Sequence, residues 1–227
     1  MKVTAIIPVY NEENTIENVV LTISKYSFDE IIVVNDGSTD KTDFILKEIK
    51  ESNDFKYIVL PKNKGKGYAM ASGIKSAKNE IIVFFDADLS NIHENHLADL
   101  FTPLLNNEAD MVLGQPTDTM IDFDVNPFKS FTGQRAIKKS DIKPIIDKIE
   151  SARFGVEILI NLFYSSEGKT VKYVMLKGLK HPTKFDKTSS PQAVKEFIFE
   201  GKEIAFTAIK NYDLVIKSIN NKIKEAI

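Results

Sequence analysis

The stretch EIIVFFDADLSN, residues 80–91, decides the fold and the position of the functional site. Its apolar run from Ile81 to Phe85 is typical of a strand that is buried on both faces of a sheet. The run leads directly into two carboxylates, Asp86 and Asp88. Carboxylates at the edge of a core repel each other and resist the loss of water, so a positively charged partner is expected beside them.

The composition of the chain excludes several classes of protein. Its 227 residues carry a formal net charge of −2, so there is no broad basic surface of the kind that binds nucleic acid. The absence of cysteine excludes disulfides, thiolate metal sites and a cysteine nucleophile. No apolar run approaches the ~18 residues of a membrane-spanning helix, and no signal-peptide cleavage site precedes the first strand pattern. We therefore expect a cytoplasmic protein of one domain, or one domain with an appendage.

Apolar runs alternate with helical patterns in the first half of the chain. The runs predict five strands, at 3–9, 31–34, 57–60, 81–85 and 110–114. Apolar residues at helical spacing predict connecting helices near 16–23, 44–49, 68–77 and 96–105. This alternation indicates an α/β fold with a mostly parallel sheet, helices on both of its faces and right-handed crossovers.

The second half of the chain is less regular. Residues 116–134 contain turn formers without a sustained period and predict a long loop, which in a compact domain is usually functional. Helices are predicted at 135–150 and 155–164, and a further strand at 170–179.

A final helical segment is predicted towards the C-terminus. Ser190 suits the N-cap and Pro191 the first helical position. Apolar residues trace one face from Val194 to Ile219, with a break expected near Gly201 because one continuous helix would be too long for a small domain. We expect this face to pack on the domain or on a second subunit, and contact with a membrane surface is the alternative.

Polar residues cluster where the predicted strands of the first half end. In open α/β sheets ligands bind beyond the carboxyl ends of the strands, so these clusters are expected to meet in one crevice. The sequence has no G-x-G-x-x-G in the first turn and no P-loop, so dinucleotide binding and P-loop phosphate binding are not expected. The clusters are PVYNE at 8–12, NDGS at 35–38, KNKGKG at 62–67 and DAD at 86–88.

Two sources of positive charge are available to this crevice. One is the loop with Lys64 and Lys66, whose glycines let its backbone approach an anion closely. The other is a divalent ion held by Asp86 and Asp88, because residues two apart in an extended segment face the same way. Carboxylate oxygens suit Mg²⁺ or Mn²⁺, which keep positions open for substrate phosphates. The pattern therefore predicts a metal ion that carries a diphosphate.

Four motifs in order, PVYNEENTI, VVNDGSTDKT, NKGKGYA and FFDADLS, resemble the family 2 glycosyltransferases with the GT-A fold. The resemblance covers about residues 1–115 and makes them the donor-binding half of the domain. It implies a UDP- or GDP-linked sugar donor and a divalent metal, Mn²⁺ or Mg²⁺. It also implies that Asp88 is a catalytic residue and metal ligand, with Asp86 beside it. The residues implied in nucleotide-sugar binding are Pro8, Tyr10, Glu12, Asp36, Lys64, Lys66 and Asp86.

The second half has a fainter resemblance, to enzymes similar to glucosyl-3-phosphoglycerate synthases. It rests on SFTGQRAI (130–137), RFGVEILI (153–160) and VMLKGLKH (174–181). The resemblance implies that Glu157 is a catalytic acid or acceptor-orienting group. It also implies that His181 is the third metal ligand.

The chain departs from those synthases at Gly133, Gln134 and Arg135, where they usually carry an acidic residue. We assign these three residues to acceptor binding, with anchoring of the loop as an equal interpretation for Arg135. Because of this departure, the sequence decides neither the identity of the acceptor nor whether the configuration at the anomeric carbon is retained or inverted. We expect residues 116–189 to form the acceptor-side half of the same domain and 190–227 a C-terminal helical segment.

The leading hypothesis is a metal-dependent glycosyltransferase that uses a UDP-sugar, in preference to a GDP-sugar, and a small phosphorylated or carboxylated acceptor. Three alternatives stay open: transfer to polyprenyl phosphate at the inner face of a membrane, a sugar nucleotidyltransferase, and a non-catalytic nucleotide-binding module. The glycine-rich first turn of the nucleotidyltransferases is missing here. The expected partners are the donor, the acceptor and, through the C-terminal helix, a second copy of the chain or a membrane surface.

Overall fold

A computed structural model describes residues 2–26, 28–116, 132–180, 201–202 and 205–225. Within these residues the chain forms one seven-stranded sheet with helices on both faces. The strands are β1 Val3–Val9, β2 Glu30–Asn35, β3 Lys56–Val59, β4 Ile81–Phe84, β5 Met111–Pro116, β6 Arg135–Lys138 and β7 Val171–Leu176. The α-helices are α1 Ile16–Ser24, α2 Thr42–Lys50, α3 Lys66–Ser76, α4 Glu94–Leu105, α5 Lys139–Ile142, α6 Ile146–Ser151, α7 Val156–Ser166 and α8 Tyr212–Glu225.

The strand order is β3-β2-β1-β4-β6-β5-β7. Strands β1 to β4 run parallel to one another, and β7 runs parallel to β5. Strand β6 lies antiparallel between β4 and β5. Because the carboxyl ends of β1, β2 and β4 share one edge, the polar residues that follow these strands are brought together there.

Strands β1, β2, β4 and β5 are buried on both faces of the sheet, which explains why they are apolar without alternation, whereas the edge strands β3 and β7 are more exposed. On one face, Ile7 and Val83 pack in the core under α1, α2 and α4. On the other, Ile6 and Ile82 pack with residues of α3, α6 and α7. Gly73 of α3 allows this second contact, because a β-carbon there would overlap the side chain of Ile6. The α/β fold with a mostly parallel sheet is therefore confirmed.

One part of the prediction is wrong. Residues 135–150 were expected to be helical, but 135–138 form β6 and the helix begins at Lys139. The four residues RAIK are too few to show a period of two, and three of them are buried between β4 and β5. Tertiary pairing therefore overrides the local pattern at this point.

Other predictions fall where the structure gives no description. Residues 117–131 of the expected long loop, together with Ser190 and Pro191, lie outside the described residues. Within the described part of the chain, no helix is long and apolar enough to cross a bilayer.

Candidate active site

A cleft of about 230 Å³ lies at the edge of the sheet where β1, β2 and β4 end. Asn63 and Phe154, which lie within the quoted motifs but received no role from the sequence, also line it. Phe154 belongs to a single 3-10 turn, Arg153–Gly155, that precedes α7. The lining residues that the motifs had indicated are Pro8, Tyr10, Glu12, Asp36, Lys66, Asp86 and Asp88.

Asp36 shapes the loop that leads into α3. Its side chain is 2% exposed, and its two carboxylate oxygens accept hydrogen bonds from the backbone N–H groups of Lys64 and Gly65, both at 2.8 Å. Gly65 has φ +97°, a conformation that favours glycine. Burial raises the pKa of Asp36, and the two backbone N–H groups oppose that shift. Asp36 therefore holds the loop against the cleft in addition to lining it.

Lys64 and Lys66 have different surroundings, although they are two residues apart. The ammonium of Lys64 lies over the ring of Tyr68, 3.9 Å from its centroid, and Lys64 does not line the described cleft. Lys66 lies at the start of α3 and points into the cleft. Of the two lysines, Lys66 is thus the one placed to meet a bound anion.

Lys66 is the positive partner of Asp86. Its Nζ atom lies 2.7 Å from Oδ1 of Asp86 and 2.6 Å from Oε1 of Glu157. The side chains are 26%, 12% and 15% exposed, respectively. Burial by itself would lower the pKa of Lys66, but the charges of Asp86 and Glu157 outweigh it and raise the pKa above its ordinary value. One partly buried cation thus holds two carboxylates together.

The second carboxylate oxygen of Asp86 contacts the segment before β6. Oδ2 accepts a hydrogen bond of 2.7 Å from Nε2 of Gln134, which is 1% exposed. Gly133 lies so close that a β-carbon there would overlap both carboxylate oxygens. Thr132 fixes this segment, because its hydroxyl donates to the backbone carbonyl of Gly114 at 2.6 Å. Gly133 and Gln134, assigned to acceptor binding from the sequence, position Asp86 in this structure.

We expect Gly133→Ala to displace the Asp86 carboxylate, because the new methyl group has no other space. Overpacking of this kind destabilises a protein by about 1–3 kcal/mol. Urea denaturation measures this loss, and nucleotide affinity should fall with it. Gly201→Ala is the matched control, because a β-carbon at Gly201 meets nothing within 4 Å. Equal stability of the two variants would contradict the close approach.

Arg135, assigned to acceptor binding from the sequence, has no exposed surface in this structure, and its hydrogen bonds lie within the chain. Its Nη2 donates to the backbone carbonyl of Thr132 at 2.6 Å. Its Nη1 donates to the backbone carbonyl of Glu157 at 3.4 Å and to Oδ1 of Asn161 at 3.3 Å. Burial lowers the pKa of the guanidinium, and the nearby charges of Glu157 and Asp86 oppose that shift. The geometry corresponds to the other interpretation, in which Arg135 anchors the segment before β6 and the start of α7.

Arg135→Lys should destabilise the protein by about 2–4 kcal/mol, because a lysine ammonium cannot reproduce the planar guanidinium that donates to three hydrogen-bond acceptors within the chain. Urea denaturation and the KM for the acceptor would be measured together. A higher KM with unchanged stability would instead favour direct contact with the acceptor.

Asp88 lies at the mouth of the cleft and is 9% exposed. The turn before it is tied to α1, because the hydroxyl of Thr15 donates to the backbone carbonyl of Ala87 at 2.9 Å. Asp86 and Asp88 both line the cleft, and carboxylate oxygens are ligands that fit Mg²⁺ or Mn²⁺. The described residues contain no group of three or more His, Cys, Asp or Glu side chains able to hold a metal, and His181 lies outside them. Asp86 already holds Lys66 and Gln134, so Asp88 is the stronger candidate ligand.

Comparison with known proteins gives a family and two kinds of relative. The family model described as "Glycosyl transferase family 2" matches residues 4–161. The poly-beta-1,6-N-acetyl-D-glucosamine synthase of Staphylococcus aureus (strain MSSA476) is 41% identical over 88 residues, 38% of this chain and 21% of that protein. The synthase of the same name from Staphylococcus epidermidis is 41% identical over 81 residues, 35% of this chain and 20% of that protein. The chain thus spans about a fifth of the length of these curated relatives.

The solved structures that resemble the chain include glucosyl-3-phosphoglycerate synthase from Mycobacterium tuberculosis. Its complex with Mn²⁺, UDP and glucosyl-3-phosphoglycerate superimposes with a TM-score of 0.72 at 20% identity, covering 92% of this chain and 79% of that chain. Its complex with phosphoglyceric acid gives 0.71 at 20% identity, covering 96% and 80%. These likenesses confirm the GT-A type of fold. Because the family model covers well over half of the sequence, the chain belongs to glycosyl transferase family 2, a family of glycosyltransferase enzymes.

Proposed function

We propose that the chain transfers a sugar from a UDP-sugar to a small phosphorylated or carboxylated acceptor with the help of a divalent metal. One observation carries the proposal: Asp36, Lys66, Asp86 and Asp88, which follow different elements of the sheet, line a single cleft. A cation and carboxylates at the carboxyl edge of a parallel sheet suit a nucleoside diphosphate and its metal.

The donor would lie over the ends of β1 and β2. Tyr10 is 41% exposed and offers a ring on which a base could stack, while Asp36 supplies the loop that borders it. Asp88, with Asp86 and His181, would hold Mn²⁺ or Mg²⁺, and the bound ion would neutralise the leaving diphosphate. Two structures of one neighbour, the Mycobacterium tuberculosis synthase, support the use of UDP with a divalent ion, since they were solved with UDP and with Mn²⁺ or Mg²⁺.

The acceptor would approach from the side of α7. Glu157 lies in the first turn of α7 and is not among the residues that line the cleft, but its carboxylate contacts Lys66, which does line it. Phe154 is 40% exposed at the same rim and provides an apolar wall. We therefore propose that Glu157 orients the acceptor, that residues 1–115 bind the donor, and that 116–189 supply the acceptor side.

Product formation with a matrix of donors and acceptors tests this function. The purified chain would be incubated with UDP-glucose, UDP-N-acetylglucosamine or GDP-mannose, each with Mn²⁺ or with EDTA. The acceptors would be 3-phosphoglycerate, glycerol 3-phosphate and a polyprenyl phosphate. We expect Mn²⁺-dependent release of UDP together with a glycosylated phosphoacid.

Two outcomes would contradict the proposal. Transfer only to polyprenyl phosphate would replace the small acceptor with a lipid. Tight, Mn²⁺-stimulated nucleotide binding without hydrolysis or transfer to any acceptor would favour a non-catalytic binding module.

A further inference from the structure

Helix α8 and the helical turn before it pack on the domain mostly through polar residues, together with Leu214, which is 8% exposed. Thr207, Asn211 and Ser218 are 4%, 5% and 7% exposed. The hydroxyls of Ser218 and Ser165 lie 2.5 Å apart, so α8 is hydrogen-bonded to α7. Asn221 also donates to the backbone carbonyl of Ser166 at 2.8 Å. These polar contacts fix the rotation of α8 about its own axis.

The outward side of the same region is apolar. Six large apolar side chains expose between 52% and 72% of their surface, although a surface helix normally turns such residues towards the core. Mostly polar residues thus face the domain while these large apolar residues face outwards, opposite to the usual arrangement of an amphipathic helix. The six residues, here named the outer stripe, are Phe206, Ile209, Tyr212, Ile216, Ile219 and Ile223.

The spacing of the outer stripe indicates what covers it. Tyr212, Ile216, Ile219 and Ile223 are separated by four, three and four residues, and Ile209 precedes Tyr212 by three. The alternation of three and four is the heptad pattern of a helix that packs against another helix. Ile209, Ile216 and Ile223 then occupy a positions of the heptad, and Tyr212 and Ile219 occupy d positions. The backbone is helical on both sides of Asn211, whose N–H bonds to the carbonyl of Thr207, so the pattern continues through this turn.

The exposed apolar area of the outer stripe is comparable to the area that a protein–protein interface buries on one partner. Large side chains expose on the order of 150–250 Å² each when free, so six that are more than half exposed present roughly 500–700 Å². The largest apolar patch on a typical monomer is about 300–600 Å², and a stable interface buries about 800 Å² on each partner. The stripe with its immediate rim therefore supplies most of one side of a standard interface.

We propose that the outer stripe docks on the same stripe of a second copy of this chain, forming a two-fold dimer through paired α8 helices. A two-fold contact uses the same patch on both subunits, so one heptad seam suffices for both sides. The seam is narrow, whereas a helix that lies on a bilayer presents a wide apolar face bordered by free cations. Two of the charges beside the stripe are instead paired within the chain, Asp213 with Lys148 at 3.7 Å and Lys217 with Glu167 at 2.7 Å.

Light scattering of the full chain after gel filtration tests the dimer. We expect twice the mass of one chain at micromolar concentration. The double variant Ile216→Lys/Ile219→Lys should raise the dimer dissociation constant by at least ~100-fold, since two charges would enter the seam. Phe44→Lys is the matched control, because Phe44 is 67% exposed on α2, away from the stripe, and its substitution should leave the mass unchanged. Circular dichroism would verify that both variants fold.

A cysteine variant identifies the surface directly. Because the chain has no cysteine, Ile216→Cys provides a single thiol, and oxidation should link two chains through it. Phe44→Cys, treated identically, should stay unlinked. A monomeric wild-type chain would overturn the proposal, whether residues 181–200 cover the stripe or the chain binds vesicles of anionic phospholipid instead. A dimer that survives the double lysine variant would overturn it as well.

Discussion

Asp88→Asn is expected to lower sugar transfer by roughly 10³-fold, the scale on which enzymes lose rate when a main electrostatic stabiliser is removed. The asparagine keeps the shape of the side chain but replaces a charged ligand with a neutral amide oxygen. Asp88 lines the cleft beside Asp86, whose two oxygens already accept hydrogen bonds from Lys66 and Gln134. Asp86 alone should therefore hold the metal poorly.

Calorimetric titration of UDP in the presence and absence of Mn²⁺ measures this effect separately from catalysis. Wild-type affinity for UDP should rise with Mn²⁺, and the Asp88→Asn variant should lose that rise. Asp54→Asn is the control, because Asp54 is an exposed carboxylate between α2 and β3, outside the cleft. Unchanged Mn²⁺-stimulated binding in the Asp88 variant would refute its assignment as the metal ligand.

Lys66→Met should both destabilise the protein and abolish activity. Removing the ammonium leaves Asp86 and Glu157, which are 12% and 15% exposed, as neighbouring carboxylates without their shared cation. Breaking a buried ion pair destabilises a protein by about 3–5 kcal/mol, and the 26% exposure of Lys66 reduces the expected loss to about 2–4 kcal/mol. Activity should fall further, because Glu157 loses the contact that fixes its position.

Urea denaturation of a double-mutant cycle tests this account of Lys66. If the destabilisation arises from uncompensated charge, Glu157→Gln in the Lys66→Met background should recover part of the lost stability. The control, Lys47→Met, breaks an exposed pair with Asp43 on α2 and should change stability by no more than ~0.5 kcal/mol. Additive effects of the Lys66 and Glu157 substitutions would show that the two side chains do not interact.

The contribution of Lys66 to the free energy of unfolding depends on pH with a definite sign. Its pKa is raised in the folded protein above the ordinary value of 10.5. The contribution is therefore fully present below that ordinary value and is lost only as the pH rises through the folded pKa. The stability difference between the wild type and Lys66→Met should stay constant on the alkaline side of neutrality. A difference that decreased between neutral pH and pH 9 would contradict the raised pKa.

The secondary structure and the position of the cleft in the first half of the chain could be predicted where the physical signals are local in the sequence. Continuous apolar runs predicted β1 to β5 because a strand buried on both faces needs apolar residues at every position. The polar clusters after β1, β2 and β4 predicted a common crevice, because parallel strands bring their carboxyl ends to one edge. These inferences depend on the direction of the chain and on the hydrophobicity of its residues, and both can be read from the sequence without knowledge of the fold.

Contacts between distant segments were decided only by the tertiary structure. The sequence indicated that Asp86 needs a positive partner, but the ion pair of Lys66 with Glu157 joins residues 91 positions apart. Arg135 gives no local sign that it is fully buried, and β6 is too short to show a period. By itself, then, the sequence determined the parallel sheet and the edge at which the site lies. Only the folded chain decided which charges pair there, because pairing depends on how segments cross in space and not on their spacing along the chain.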